Sequence, residues 1–162
     1  MKKNIEHRNF KGQLHCTDGP AVIRYFENGN KEYEHYYLNN QYHRIDGPAI
    51  IYYYKNGNKN YEAYFLNDQR HRTDGPAFIN YYENGNKKGE TYYLNNQLHR
   101  TDGSAYINFF KNGKKKFEEY YLNNLKLEDW CKKYNISFKT KRQQKYVIDN
   151  LEKIYKIYSV FK

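Results

Sequence analysis

The sequence predicts a mainly β protein: an elongated solenoid of stacked antiparallel β-hairpins ending in a C-terminal α-helical cap. Three observations carry this. A 28-residue pattern recurs four times without insertion. Each copy places Asn-Gly between runs of aromatic and β-branched residues, which is a strong short-range hairpin signal. Residues 125–162 leave the pattern and take up helical apolar spacing instead.

The copies begin HCTDGPAVIRYFENGNK at His15, HRIDGPAIIYYYKNGNK at His43, HRTDGPAFINYYENGNK at His71 and HRTDGSAYINFFKNGKK at His99. Asn28-Gly29, Asn56-Gly57, Asn84-Gly85 and Asn112-Gly113 mark one turn, with both positions expected at positive φ. Leu38-Asn39-Asn40 and its equivalents Leu66-Asn67-Asp68, Leu94-Asn95-Asn96 and Leu122-Asn123-Asn124 turn the chain again. Residues 3–12 read as a partial repeat, with Lys3, Glu6 and Phe10 at the slots of Lys31, Glu34 and Leu38. The array therefore spans residues 1–124 and the cap residues 125–162. About two strands per repeat give a meander of roughly nine strands.

Slot-by-slot comparison assigns the faces, because neighbouring strand residues point to opposite sides. Ile23, Ile51, Ile79 and Ile107 never vary, and Tyr25, Tyr53, Tyr81 and Phe109 follow two residues later. Glu34, Tyr36 and Leu38 recur on one side of the second strand. The intervening slots, Arg24/Tyr52/Asn80/Asn108 and His35/Ala63/Thr91/Glu119, change freely and read as solvent-facing. Lys31, Lys59, Lys87 and Lys115 stand three residues before the Glu column, an offset expected to put them on the opposite face. Arg44, Arg72 and Arg100 are the expected partners of those glutamates.

Composition narrows the function. Mean hydropathy is −1.21, yet 19% of residues are aromatic, which argues against disorder. No apolar run approaches the roughly 18 residues of a membrane span, and the first residues lack a signal-peptide stretch. Two cysteines, Cys16 and Cys131, are too few for a disulfide framework, so a reducing, cytoplasmic setting is expected. The formal charge of +10 favours acidic partners. Lys, Asn, Tyr and Ile all have A/T-rich codons, so genome composition is an equally good source of that bias.

His-x-x-Asp, four times over, invites a reading as chemistry. Stacked hairpins would separate equivalent atoms by about 10 Å, twice the strand spacing. Two ligands of one zinc lie within roughly 4 Å of each other, so the His column is not a shared metal site. No nucleophile recurs beside the His-Asp pair, since Ile45 interrupts the Thr17, Thr73 and Thr101 column. No catalytic residue, metal or cofactor is expected. Asp18-Gly19, Asp46-Gly47, Asp74-Gly75 and Asp102-Gly103 read as structural turns: Asp bonds its own turn, Gly supplies a special φ and the following Pro marks a bulge.

Tyr33-Glu34-His35-Tyr36-Tyr37-Leu38-Asn39-Asn40 resembles the MORN-repeat pattern Tyr-Glu-Gly-Glu-Trp-x-Asn-Gly, and His43 and Gly47 fall near that family's His-Gly-x-Gly stretch. The similarity covers about residues 3–124 and is strongest to variant repeats in phage and giant-virus proteins. It implies an elongated hairpin stack used for protein or lipid contacts without catalysis, and suggests a virus-encoded protein that blocks a host factor.

The aromatic rows carry the functional signal. Tyr37, Phe65, Tyr93 and Tyr121 form one column and Phe26, Tyr54, Tyr82 and Phe110 another. Such rows pack as a second core face, bind a protein, or stack nucleic-acid bases. The partner-binding candidates are the first column together with Arg44, Arg72 and Arg100. In the tail, Leu127, Trp130, Cys131 and Tyr134, then Val147, Leu151, Ile154 and Tyr158, predict two helices with apolar stripes. Repeat arrays need such end caps. Lys139, Lys141, Arg142 and Lys145 are a candidate patch for an acidic partner. A protein is the expected partner, nucleic acid or a small nucleotide the rival, and membrane binding is not expected; the pattern carries no signal for an oligomeric state.

Overall fold

A computed structural model describes residues 3–138 and 140–159. Strand β1 (Ile5–Glu6) precedes four equivalent units. The first is β2 (Val22–Tyr25), β3 (Lys31–His35), β4 (Tyr37–Leu38) and β5 (Gln41–Tyr42). The second is β6 (Ile50–Tyr53), β7 (Lys59–Ala63), β8 (Phe65–Leu66) and β9 (Gln69–Arg70). The third is β10 (Phe78–Tyr81), β11 (Lys87–Thr91), β12 (Tyr93–Leu94) and β13 (Gln97–Leu98). The fourth is β14 (Tyr106–Phe109), β15 (Lys115–Glu119), β16 (Tyr121–Leu122) and β17 (Leu125–Lys126). Helices α1 (Leu127–Lys133), α2 (Lys141–Asp149) and α3 (Leu151–Ser159) follow.

The long strands form one open antiparallel sheet of nine strands, from β1 at one edge to β15 at the other. This is the meander expected from the sequence. The expected second strand of each unit is not continuous, however. It breaks before Tyr37, Phe65, Tyr93 and Tyr121, and the remainder forms a separate two-stranded hairpin. These short hairpins stack by single backbone bonds, such as Arg44 N–H to Phe65 O (3.1 Å) and Asp68 N–H to Tyr42 O (3.0 Å).

The two turn types exchange the geometry expected of them. At Asn-Gly only the glycine is left-handed, at φ +83° to +90°. The left-handed pairs are Asn39-Asn40, Asn67-Asp68, Asn95-Asn96 and Asn123-Asn124, with φ from 49° to 66°. These close the two-residue loops of the short hairpins, where positive φ at both positions matches the strand twist. The Asn-Gly loops are longer: Gly57 N–H donates to Tyr54 O and Tyr54 N–H to Asn58 O.

Every long hairpin carries a β-bulge beside its loop. Tyr53 pairs with Lys59 while Tyr52 pairs with Tyr61, leaving Asn60 as an extra residue; Glu32, Lys88 and Lys116 are its equivalents. An extra residue shifts side-chain parity by one. The lysine three residues before each glutamate therefore lies on the same face as it, contrary to the expectation from strict alternation. The pairs are Lys31–Glu34 (2.6 Å), Lys59–Glu62 (2.5 Å), Lys87–Glu90 (2.5 Å) and Lys115–Glu118 (2.7 Å). Tyr53 and Tyr81, each from the following unit, donate their hydroxyls to Glu34 and Glu62. In the last unit Ser104, standing where the others have Pro, donates to Glu118 (2.7 Å) instead.

The N-terminal partial repeat is displaced by one residue. Ile5 faces Ile23 and so occupies the glutamate slot, while Arg8 bridges Leu14. The first loop has one more residue than its equivalents, which puts Phe10 at its tip, 94% exposed, rather than at a buried leucine slot. At the other end Leu122, Leu127, Trp130, Cys131, Val147 and Leu151 form the one large apolar cluster among the described residues. The second expected helix is split at Asn150, which is the C-cap of α2. Thr140 and Gln143 close its N-terminus as a capping box.

The buried carboxylates make a test of the fold. Glu62 is 4% exposed, so Lys59→Met leaves a nearly unneutralised charge and should cost about 2 kcal/mol in urea unfolding. The triple variant Lys59→Met/Glu62→Leu/Tyr81→Phe removes charge and donors together and should recover most of that loss.

Candidate interaction surface

The two faces of the sheet differ in how much the units vary. One face carries Ala21, Ile23, Tyr25, Lys31, Glu34, Tyr36 and Leu38, repeated with almost no change in all four units. The other carries the slots of Val22, Arg24, Tyr33, His35, Tyr37 and Tyr42, and these diverge. They read Val-Arg-Tyr-His-Tyr-Tyr in the first unit, Ile-Tyr-Tyr-Ala-Phe-Arg in the second, Phe-Asn-Gly-Thr-Tyr-Leu in the third and Tyr-Asn-Phe-Glu-Tyr-Lys in the fourth.

The divergent face is not the open solvent face expected from its variability. Ala63 is fully buried and His35 is 9% exposed. Rings from the same and the following unit cover them. Tyr33 stacks on His35 at 4.5 Å between centroids, and Tyr42 and Tyr52 meet its edge at 5.6 and 5.4 Å. The ring contacts continue across units: Tyr37–Tyr42 (4.3 Å), Tyr42–Phe65 (5.5 Å), Phe65–Phe78 (5.9 Å) and Phe78–Tyr93 (5.5 Å). A second line runs Tyr33–Tyr52–Tyr61–Phe78. Big and small residues complement each other here, since Phe78 stands opposite Ala63 on the neighbouring strand. Exposed Arg70 lies over both Phe78 and Tyr93, at 5.5 and 5.3 Å. Its guanidinium forms no ion pair among the described residues.

Three of the four candidate rings, Tyr37, Phe65 and Tyr93, thus belong to one continuous surface, and Tyr121 continues the row beneath Lys126 (5.9 Å). Sequence reasoning misses Tyr33, Tyr42, Tyr61, Phe78 and Arg70, and places Tyr52 only among the freely varying, solvent-facing slots. The signal was present: they share strand parity with the Tyr37 column, but variability was read as exposure. The other aromatic column serves the scaffold. Tyr54 and Tyr82 donate their hydroxyls to Tyr81 O and Phe109 O of the next unit, both at 2.9 Å.

The arginine column lies elsewhere. Arg44, Arg72 and Arg100 form no ion pair with the glutamates; each places Cζ over a tyrosine ring of the invariant face, Tyr36, Tyr64 or Tyr92, 3.9–4.0 Å from its centroid. Each Nε donates to the aspartate two residues on, Asp46, Asp74 or Asp102, at 2.7–2.9 Å. Those bonds hold the three carboxylates below their usual pKa. The glycines of Asp-Gly sit against these guanidinium groups. A Cβ on Gly47, Gly75 or Gly103 would come 2.9–3.1 Å from the Arg Cζ, whereas Gly19, whose unit has Cys16 at the Arg slot, has open space. None of the four has positive φ. The expected special φ is therefore replaced by a close approach, and the expected bulge by a bend outside the strands.

The histidines complete the corners. His15, His43 and His71 place Nδ1 2.7–2.9 Å from Oδ1 of Asn39, Asn67 and Asn95 in the next short hairpin, and the Asn123 N–H donates to His99 Nδ1 (3.3 Å). Asn or Asp at the second turn position accepts from the preceding unit, as Asp68 does from Tyr42 N–H (2.7 Å). The histidine of His-x-x-Asp thus ties one short hairpin to the next, while the aspartate holds the arginine of its own corner. Open cavities of about 420–550 Å³ separate successive corners, each lined by one Arg-Asp pair from either unit except where Cys16 replaces the Arg.

In the tail, Lys141 and Arg142 are exposed at the start of α2, and Lys145 pairs with Asp149 (3.0 Å). Lys139 lies outside the described residues. On α3, Tyr155 packs edge-on to His99 (4.9 Å) and bonds Asn123 (2.9 Å). No cluster of His, Cys, Asp or Glu suited to a metal occurs among the described residues, and no helix is long and apolar enough to cross a membrane. Comparison with known proteins is silent: no family model matches the chain, and neither does any curated protein or solved structure.

Burial among rings lowers the His35 pKa to about 4. The unfolded residue titrates near 6.5, so its contribution to stability is whole above that pH and is lost as pH falls toward 4. Relative to His35→Phe, wild type should lose roughly 3 kcal/mol between pH 6.5 and 4, measured by denaturant unfolding at each pH. Other acid-sensitive groups cancel in that comparison.

Proposed function

We propose that the chain is a non-enzymatic interaction module that binds a partner protein through its divergent aromatic face. The observation carrying this is the segregation of variation. Twenty-eight-residue copies keep most of the side chains that hold one unit to the next, and differ most on one continuous half-buried surface. Identical units need no divergence to stack, so divergence on one face is the mark of a surface shaped for something asymmetric. Tyr and Arg are the side chains favoured at the centres of protein interfaces, and Arg70 over Tyr93 places both types together on the face that Tyr52 shares.

The MORN-type resemblance supports the same class. It favours an elongated solenoid that serves as a platform, and a phage- or virus-encoded protein that blocks a host factor. The net positive charge makes an acidic partner surface the better fit.

Capture from a host lysate at moderate salt tests this. Wild type should retain a stoichiometric protein, and Tyr52→Ser/Arg70→Ser should lose it while melting within a few degrees of wild type. Retention of nucleic acid that high salt removes, seen in the 260/280 nm absorbance ratio, would point to base stacking on the same rings instead.

A further inference from the structure

The open end of the sheet differs chemically from the rest. In the first three units the second long strand pairs onward, β3 with β6, β7 with β10 and β11 with β14. Tyr36, Tyr64 and Tyr92 then donate their N–H groups to Ala49, Ala77 and Ala105 O at 2.7–2.8 Å. Strand β15 is the last in the sheet, so the Tyr120 N–H and, by alternation, the Glu118 backbone groups turn toward a position that no strand among the described residues fills, while the Tyr120 carbonyl accepts from Leu127 N–H (2.9 Å). The helices pack against Tyr120, Leu122 and Leu127, and Gln144 and Ile148 of α2 line an open cavity of about 300 Å³ with Glu118 and Tyr120.

Side chains along this edge are unlike those of earlier units. Asn30, Asn58 and Asn86 donate to the next unit's Lys55, Glu83 and Lys111 carbonyls, each at 2.9 Å. The fourth unit has Lys114 in that slot, followed by Lys115 and Lys116. Lys111, Lys114 and Lys116 are exposed and form no ion pair among the described residues; Lys115 alone is paired. Two apolar rings lie beside them, Phe117 at 43% and Phe110 at 48% exposure, whereas Tyr33 and Tyr61 at the Phe117 slot are half-buried.

We propose that β15 is a docking edge on which an extended, acidic segment of another protein adds as a tenth strand. Main-chain groups supply affinity in such strand addition, and alternate side chains supply selection. The lysines decide what is admitted. A second copy approaching edge to edge by a two-fold axis would set lysine against lysine, and neutral strands gain nothing from them, so they also guard the edge against aggregation. An acidic strand turns the same charges into attraction, and Phe110 and Phe117 offer it apolar contact. This edge shares only Phe117 with the divergent face, lies in the fourth unit rather than around Tyr52, and does not rest on that reading.

A fluorescein-labelled peptide of about ten residues alternating Glu with Val and Thr serves as probe, read by anisotropy on the full chain. Wild type should bind it, and Lys114→Glu/Lys116→Glu should bind it at least about tenfold more weakly with an unchanged melting temperature. Proline at the peptide positions that would donate N–H should abolish binding, and the Tyr120 amide should become protected from hydrogen exchange in the complex. Equal binding of the proline peptide would reduce the effect to bare charge attraction and overturn the proposal. So would absent binding, or wild-type self-association that the double variant relieves.

Discussion

A carboxylate buried in a thin β stack is the constraint on which the rest of this structure depends. Glu34, Glu62 and Glu90 are 4–7% exposed, and an uncompensated charge at that depth costs several kcal/mol. The bulge beside each Asn-Gly loop answers that cost by bringing a lysine of the same strand onto the same face. Tyr53 and Tyr81 add a hydroxyl from the next unit to Glu34 and Glu62, which ties those two carboxylates to the register of the neighbour, while Glu90, with Phe109 at that slot, is held by Lys87. The fixed 28-residue spacing follows: an insertion would carry the donor to the wrong face. At the end of the array, where no next tyrosine exists, Ser104 replaces Pro and supplies the donor from within the unit.

Each unit is joined to the next in several other places, all through side chains that read as chemistry in the bare sequence. The histidine bonds the next turn asparagine. The arginine is held between a tyrosine ring and a glycine with no Cβ, and the aspartate fixes its Nε. Each of these groups bonds or packs against a neighbour within the stack, so the copies of His-x-x-Asp read as scaffold corners. The proposed binding face lies on the other side of the same strands, among residues outside these corners.

Much of the fold was legible because a repeat makes its own alignment. Invariant Ile23, Ile51, Ile79 and Ile107 marked the buried face, and two turns per unit marked the hairpins. What failed were inferences from ideal alternation. The bulge at Glu32, Asn60, Lys88 and Lys116 is invisible to a two-residue period, so lysine and glutamate seemed to face apart. Variability at His35 and Ala63 suggested exposure, although these positions are buried beneath rings that vary with them. Gly47 and Gly75 suggested turn geometry, although what they provide is room for a guanidinium. Tyr37, Phe65 and Tyr93 were recognisable as a row; their joining with Tyr52, Phe78 and Arg70 depends on how neighbouring units stack, which no single unit displays.

Scaffold residues recur almost unchanged from unit to unit, whereas those of the proposed binding face differ in each. Exchanging the face residues of the second unit for those of the third, as Tyr52→Asn, Phe65→Tyr and Arg70→Leu together, tests that separation directly, because every new residue is one the same scaffold already holds. Melting and partner capture would be measured on the same sample. The account predicts near wild-type melting with the partner lost. Undiminished capture, or melting that collapses with the exchange, would contradict it.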